Sequence, residues 1–89
     1  ILASSDHMAI GAMDAIRSRG LKIPVDVALV GFGNTPICAE VSPTLTSVDE
    51  QLRELGARAA TLLVQLAQGE EVQDDQVILP TRLVIRESS

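Results

Sequence analysis

The sequence predicts an α/β fold in which a mostly parallel sheet is flanked by helices. Three observations carry that reading. Ala28, Leu29 and Val30 form a continuous apolar run, the pattern of a strand covered on both faces. Two stretches with apolar residues at helical spacing lie on either side of it, each closed by a glycine, Gly20 and Gly69. Short extended pieces precede and follow these stretches, and β and α segments in alternation build a parallel sheet.

Taken in order, residues 1–4 read as the end of a buried strand. Asp6 offers a side-chain oxygen to the free N–H groups of a helix reaching about Arg19, with Met8, Ala12, Met13 and Ile16 as its buried stripe. The apolar strand of residues 26–32 follows. Its end, Gly31-Phe32-Gly33, lets the backbone turn and approach a bound molecule closely, and ligands of open α/β sheets collect at the carboxyl ends of strands. Residues 33–44, with two prolines, form a loop, and residues 45–48 are extended. Asp49 caps a second helix to about Gln68, whose apolar face is Leu52, Leu55, Ala59, Leu62, Leu63 and Leu66. An acidic linker over residues 70–75 leads to two extended pieces, 77–79 and 83–85, separated by Pro80.

Eighty-nine residues make at most one small domain with a thin core. The start at Ile1 rather than Met suggests a piece of a longer protein. Hydrophobic content of 46% beside 21% charged residues argues against intrinsic disorder. A net charge of −5 argues against these residues gripping a phosphate backbone, since that affinity comes from clustered Lys and Arg. Cys38 is the one cysteine, so an intramolecular disulfide and a cysteine-based zinc site are both excluded. No apolar run approaches the roughly 18 residues that span a bilayer.

Catalytic patterns are absent. His7, the one histidine, sits on the first turn of a helix and reads as a solvent-facing or interface residue. Ser4 and Ser5 beside Asp6 lack a nucleophile elbow, and helix capping explains them better. Gly31-Phe32-Gly33 lacks dinucleotide-site spacing. The cluster Glu70, Glu71, Asp74 and Asp75 reads as a solvated linker rather than a metal site.

Five segments in order resemble the closing motifs of one family. Ser5-Asp6-His7-Met8-Ala9-Ile10-Gly11 is similar to N-D-x-M-A-x-G, residues 21–27 to G-L-x-V-P-x-D-V, and residues 30–34 to V-G-[FY]-D-[DN]. Pro43-Thr44-Leu45-Thr46-Ser47-Val48 resembles P-x-L-T-T-V, and residues 80–88 resemble P-x-x-L-V-x-R-x-S. These motifs are those of the LacI/GalR family of bacterial transcriptional regulators, and they cover nearly the whole chain.

The resemblance implies a cytoplasmic regulator, most often a repressor, with a helix-turn-helix DNA-binding domain outside this segment. Its effector domain would be periplasmic-binding-protein-like (type I), binding a small molecule without a cofactor or metal and without catalysis. Residues 1–48 would belong to the C-terminal lobe, residues 49–76 would cross to the N-terminal lobe, and residues 77–89 would return. Isolated, the second helix would expose its leucine face. The family's ligand-contacting Asn falls on Ser5 and its ligand-contacting Asp on Gly33, so two polar contacts to a sugar-like effector are weakened together. Either the effector differs from a typical sugar, or Asn34 substitutes, or Gly33 is a turn glycine in a pocket that has lost its ligand. The resemblance also implies a homodimer that meets across Met8, Ile10, Ile37, Ala39 and Val41, with operator DNA bound outside this segment. A periplasmic solute-binding protein of a sugar transporter shares the fold and is the alternative.

Overall fold

The computed structural model describes residues 1–73 and 76–89. Helix α1, Asp6–Ser18, opens at Ser5, whose extended backbone (φ −152°, ψ 161°) and side chain cap it: Ser5 Oγ accepts from the Met8 N–H at 3.1 Å. The cap is therefore Ser5 and not Asp6, one residue earlier than the sequence reading. The buried stripe also moves. Asp6, Ala9, Met13 and Ile16 face inward, while Met8 is 61% exposed and Ala12 only half-buried. Gly20, at φ 74°, ends the helix in a left-handed turn in which the Gly20 and Leu21 N–H groups donate to the Arg17 and Ile16 carbonyls.

Strand β1, Val30–Phe32, is shorter than the predicted 26–32, because Asp26 is tied into a turn by hydrogen bonds with Lys22. On one side Val30 bridges Leu2 in parallel. The first residues are thus strand-like as expected, although Ile1 and Leu2 are exposed rather than buried. On the other side β1 pairs in parallel with β2, Thr46–Asp49, in the register Val30↔Thr46 and Phe32↔Val48. Between them the predicted loop contains one turn of helix, α2, Ile37–Glu40.

Helix α3, Leu52–Ala67, starts at Gln51 rather than at Asp49. Gln51 has a left-handed backbone (φ 55°) and gives no side-chain cap. Asp49 is instead the last residue of β2, and its Oδ1 accepts from the Gln51 N–H at 2.8 Å. Gly69 closes α3 as Gly20 closes α1, with the Gly69 and Glu70 N–H groups donating to the Leu66 and Gln65 carbonyls. Of the predicted acidic linker, Asp74 and Asp75 lie outside the described residues. Residues 77–79 join no ladder, and β3, Arg82–Val84, pairs antiparallel with β2 through Ser47↔Val84 and Asp49↔Arg82.

Ala9, Met13, Leu29, Cys38 and Leu45 form the core under the sheet, with Val41, Ile23, Ala12 and Ala3 packed at its edge. Helix α3 buries none of its residues and leaves Leu52, Leu63, Val64 and Leu66 exposed, as expected for this segment standing alone. The molecule is elongated, 59 × 17 × 17 Å. The residues after β3 fold back over the start of the sheet. Ser88, fully buried, accepts from the Thr46 N–H at 2.8 Å on its hydroxyl and donates to the Leu29 carbonyl, while its own backbone pairs with Leu29 and Thr44.

Candidate functional site

Strand β1 ends at Phe32 and its chain passes through Gly33 into a loop, and β2 leaves the sheet beside it after Asp49. Here the carboxyl ends of β1 and β2 diverge. They leave a cleft of ≈ 530 Å³ lined by residues 33–36 on one side and by Asp49 and residues 51–54 on the other. A second hollow of ≈ 370 Å³, lined by Leu2, Ala3, Ser4 and Phe32, also meets the end of β1.

The loop beginning at Gly33 is fixed from behind, one amide at a time. Gly33 N–H donates to the Val48 carbonyl (2.8 Å), Asn34 N–H to Ser47 Oγ (2.9 Å), and Thr35 N–H to Asp6 Oδ2 (2.7 Å). The Thr35 hydroxyl donates to the same Asp6 oxygen at 2.8 Å, and the Ser47 hydroxyl donates to Asp6 Oδ1 at 2.6 Å. Asp6 is 1% exposed. Burial works against its charged form, but the hydrogen bonds from Ser47 and Thr35 outweigh it and hold the carboxyl below the ordinary aspartate range. Cys38, buried beside it, is pushed up by burial and by the neighbouring Asp6 carboxylate. Its thiol is therefore a core group rather than a nucleophile.

Gly31 explains how a carboxylate on α1 reaches β2. A Cβ at that position would run into Asp6 Oδ1 and would lie 3.0 Å from Leu45 Cδ2. The close approach that the glycine permits is thus to Asp6, not to a bound molecule as its place in the motif suggested.

Gly33 and Asn34 are more constrained than the sequence implied. Gly33 has φ +119°, a conformation that side-chain-bearing residues rarely adopt, which fits the turn-glycine reading. Asn34 is left-handed too (φ 49°), and its side chain is engaged at both ends. Oδ1 accepts from Arg86 Nη2 at 2.7 Å, and Nδ2 lies 3.5 Å from Asp49 Oδ2. One lone pair and one N–H of Asn34 are left free by these two bonds. Ser5 lies outside the lining of the larger cleft, on the turn into α1, and its oxygen is occupied as the helix cap.

Arg86 ties the site to the sheet. Its Nη1 donates to the Leu45 carbonyl at 2.8 Å, and its backbone N–H donates to Thr46 Oγ1. Asp49 is held below the ordinary range by the Gln51 N–H and the nearby Arg82 guanidinium. Sequence reasoning missed Thr35, Ser47 and Arg86 as parts of the site. The signal was present: Thr46 and Ser47 are hydroxyl residues in a strand whose burial demands partners.

Of the residues expected at a subunit interface, Met8 and Ala39 are exposed, Ile10 and Ile37 half-buried, and Val41 packs against the core edge. His7 is exposed, as expected. Among the described residues no group of three or more His, Cys, Asp or Glu could hold a metal ion, and no helix is long and apolar enough to cross a membrane.

The periplasmic binding protein-like domain model matches residues 1–89. The NTD biosynthesis operon regulator NtdR of Bacillus subtilis is 37% identical over the whole of this chain, which spans 27% of that protein. A transcriptional regulator CelR solved as a cellobiose complex superposes with a TM-score of 0.92 at 34% identity, over 99% of this chain and 27% of that one. A lac repressor dimer bound to operator and the anti-inducer ONPF gives 0.87 at 38% identity, over 99% and 30%. The chain thus spans about a quarter of the length of the curated relatives it matches. It belongs to the periplasmic-binding-protein-like domain family, in the branch carried by LacI-type transcriptional regulators.

Proposed function

We propose that this chain is the ligand-sensing and dimerisation part of a bacterial transcriptional regulator, a repressor under the control of a small, hydroxyl-rich effector. The observation that carries the reading is the crevice loop of residues 33–36 in a chain whose relatives are named as operon regulators. The effector binds at the end of β1, between the loop and a second lobe. Ser5 and Gly33 make its recognition differ from that of a typical sugar-binding relative, and Asn34 contributes what its bonds to Arg86 and Asp49 leave free.

The unburied apolar face of α3 supports a crossing of residues 49–76 to that second lobe, with residues 77–89 returning. Exposed Met8 and Ala39, with Ile10, Ile37 and Val41 beside them, supply the apolar centre of an isologous dimer interface. The protein works in the cytoplasm, binds operator DNA through a separate domain and catalyses nothing. The curated relatives favour this over the transporter-linked alternative.

A mobility-shift titration with the full-length protein and a selected palindromic site tests the reading. Full-length protein shifts the DNA as a dimer and a sugar from a panel that includes cellobiose changes that affinity, while the 89-residue piece, at net charge −5, shifts none. Tight, sequence-selective binding by the piece alone overturns it.

A further inference from the structure

We infer that Asp6 is the positioning residue of the crevice loop: its carboxylate, reaching through the gap at Gly31, sets the backbone of Asn34 and Thr35 at the mouth of the effector site. The inference deepens the proposed function and rests on it for the meaning of the crevice. Its geometry stands without a ligand.

Three facts separate this role from ordinary packing. The capping duty that the first polar residue of a helix often performs is already discharged by Ser5, so Asp6 is free to point away from α1. A wholly buried carboxylate needs donors on both oxygens, and the chain supplies three: Thr35 N–H and Thr35 Oγ1 on Oδ2, and Ser47 Oγ on Oδ1. Ser47 Oγ also accepts from the Asn34 N–H, so the carboxylate holds Thr35 directly and Asn34 at one remove.

Position follows from this count. Gly33 is tied to β2 by an ordinary ladder bond, but beyond it the chain has no ladder partner and side chains take over. The Thr35 carbonyl then accepts from Cys38 N–H at 3.1 Å, so the residue fixed by Asp6 also closes the turn that leads into α2. One buried charge thereby sets both the face that the loop shows to the cleft and the start of the segment carrying Ile37 and Ala39.

The experiment is residue-resolved amide hydrogen exchange on the full-length protein, with the natural sequence, Asp6→Asn and Ser47→Ala compared at equal temperature and pH. Asn is close in volume but brings an NH₂ group where Asp6 only accepts, so either the Ser47 hydroxyl loses its acceptor or the Thr35 N–H and hydroxyl lose theirs together. The expected result is an increase of at least tenfold in the exchange rates of Asn34 and Thr35 in Asp6→Asn, with the amides of Leu29 and Ala9 changed less than threefold. In Ser47→Ala the Asn34 amide quickens more than the Thr35 amide. This order distinguishes a positioning role from general loosening, in which β1, α1 and the loop rise together. Should Asp6→Asn fail to fold, the Ser47→Ala order alone decides. A uniform rise in either variant, or unchanged Asn34 and Thr35 rates, overturns the inference. Because no ligand is added, its failure is separate from a failure to find an effector.

Discussion

Replacing Gly31 with alanine adds a single methyl group at the most crowded point of the sheet. Its backbone φ is outside the left-handed region, so the substitution has no conformational obstacle, and the loss of glycine's freedom in the unfolded chain favours it by about 0.4–1 kcal/mol. Sterics decide the outcome. The new Cβ collides with Asp6 Oδ1 and crowds Leu45 Cδ2 at 3.0 Å and Asp6 Cα at 3.3 Å. Leu45 is fully buried and has little room to give. Overpacking of this kind costs about 1–3 kcal/mol. If Asp6 retreats instead, its charged hydrogen bond with Ser47 is lost, at about 1.5–3 kcal/mol. The net expectation is a destabilisation of about 0.5–2.5 kcal/mol, read as a fall in urea midpoint at unchanged slope in the full-length protein. Gly11→Ala is the control: its Cβ meets nothing within 4 Å, and helix propensity makes it stabilising by about 0.5–1 kcal/mol. Gly31→Ala combined with Asp6→Ala should cost less than the sum of the single changes, since the collision partner has gone. A Gly31→Ala variant within about 0.5 kcal/mol of the natural protein, a change typical of uncrowded surface sites, would refute the packing argument.

Ser88→Ala removes the partner of a buried N–H and a buried carbonyl together, and chemical denaturation should register a loss of about 2–4 kcal/mol. Ser5→Asn with Gly33→Asp places the Asn and Asp of the family motif at these positions, but at φ +119° and with its Cβ 3.5 Å from Asp6 Oδ2 the new aspartate is strained and faces a like charge. We expect a stability loss of about 2–4 kcal/mol, with sugar affinity by calorimetry rising only in the Ser5→Asn single variant. Met8→Asp and Ile37→Asp should each weaken the full-length dimer by about 2–4 kcal/mol in sedimentation equilibrium; an unchanged dimer moves the interface elsewhere. The folded-state pKa of Asp6 is depressed, so its ionisation contributes stability that is complete above the ordinary value of 3.8 and is lost as pH falls below that toward the lower folded value. Asp6→Asn should therefore flatten the acid limb of the stability profile, and an unaltered limb would assign it to other carboxylates.

The alternation of elements was legible because it rests on local signals. Gly20 and Gly69 closed their helices where a left-handed residue was expected, and the leucines of α3 announced a face with nothing in this segment to cover it. Errors arose wherever a side chain had to choose between a local and a distant partner. Local spacing offers both Asp6 and Asp49 as helix caps, a common use of an aspartate before an apolar run. In the fold, Ser5 caps α1 while Asp6 crosses to Thr35 and Ser47, and Asp49 finishes β2. Those partners lie 29 and 41 residues from Asp6, beyond the reach of any spacing rule. The strand of 26–32 lost its first half for a similar reason, since a Lys22–Asp26 turn claims residues that composition alone assigns to the sheet. Ser5, Gly33 and Asn34 stand at motif positions, yet what Ser5 and Asn34 can offer a ligand depends on bonds to Met8, Arg86 and Asp49 that the motif does not encode.

The insertion of Ser88 between Leu29 and Thr46 has a consequence for how this segment is made. Synthesis delivers the chain in one direction, and Ser88 follows Thr46 by 42 residues and Leu29 by 59. At translation rates of about 5–20 residues per second, the Leu29 carbonyl waits roughly 3–12 s for its partner hydroxyl. By the later part of that interval α1 and both parallel strands exist as chain, but the Leu29 carbonyl and the Thr46 N–H still have only water to satisfy them. A product interrupted anywhere inside α3 or the stretch after it would keep that edge of the sheet unsealed and expose it to proteases. The buried bonds at this edge form only on chains that have been read past Ser88.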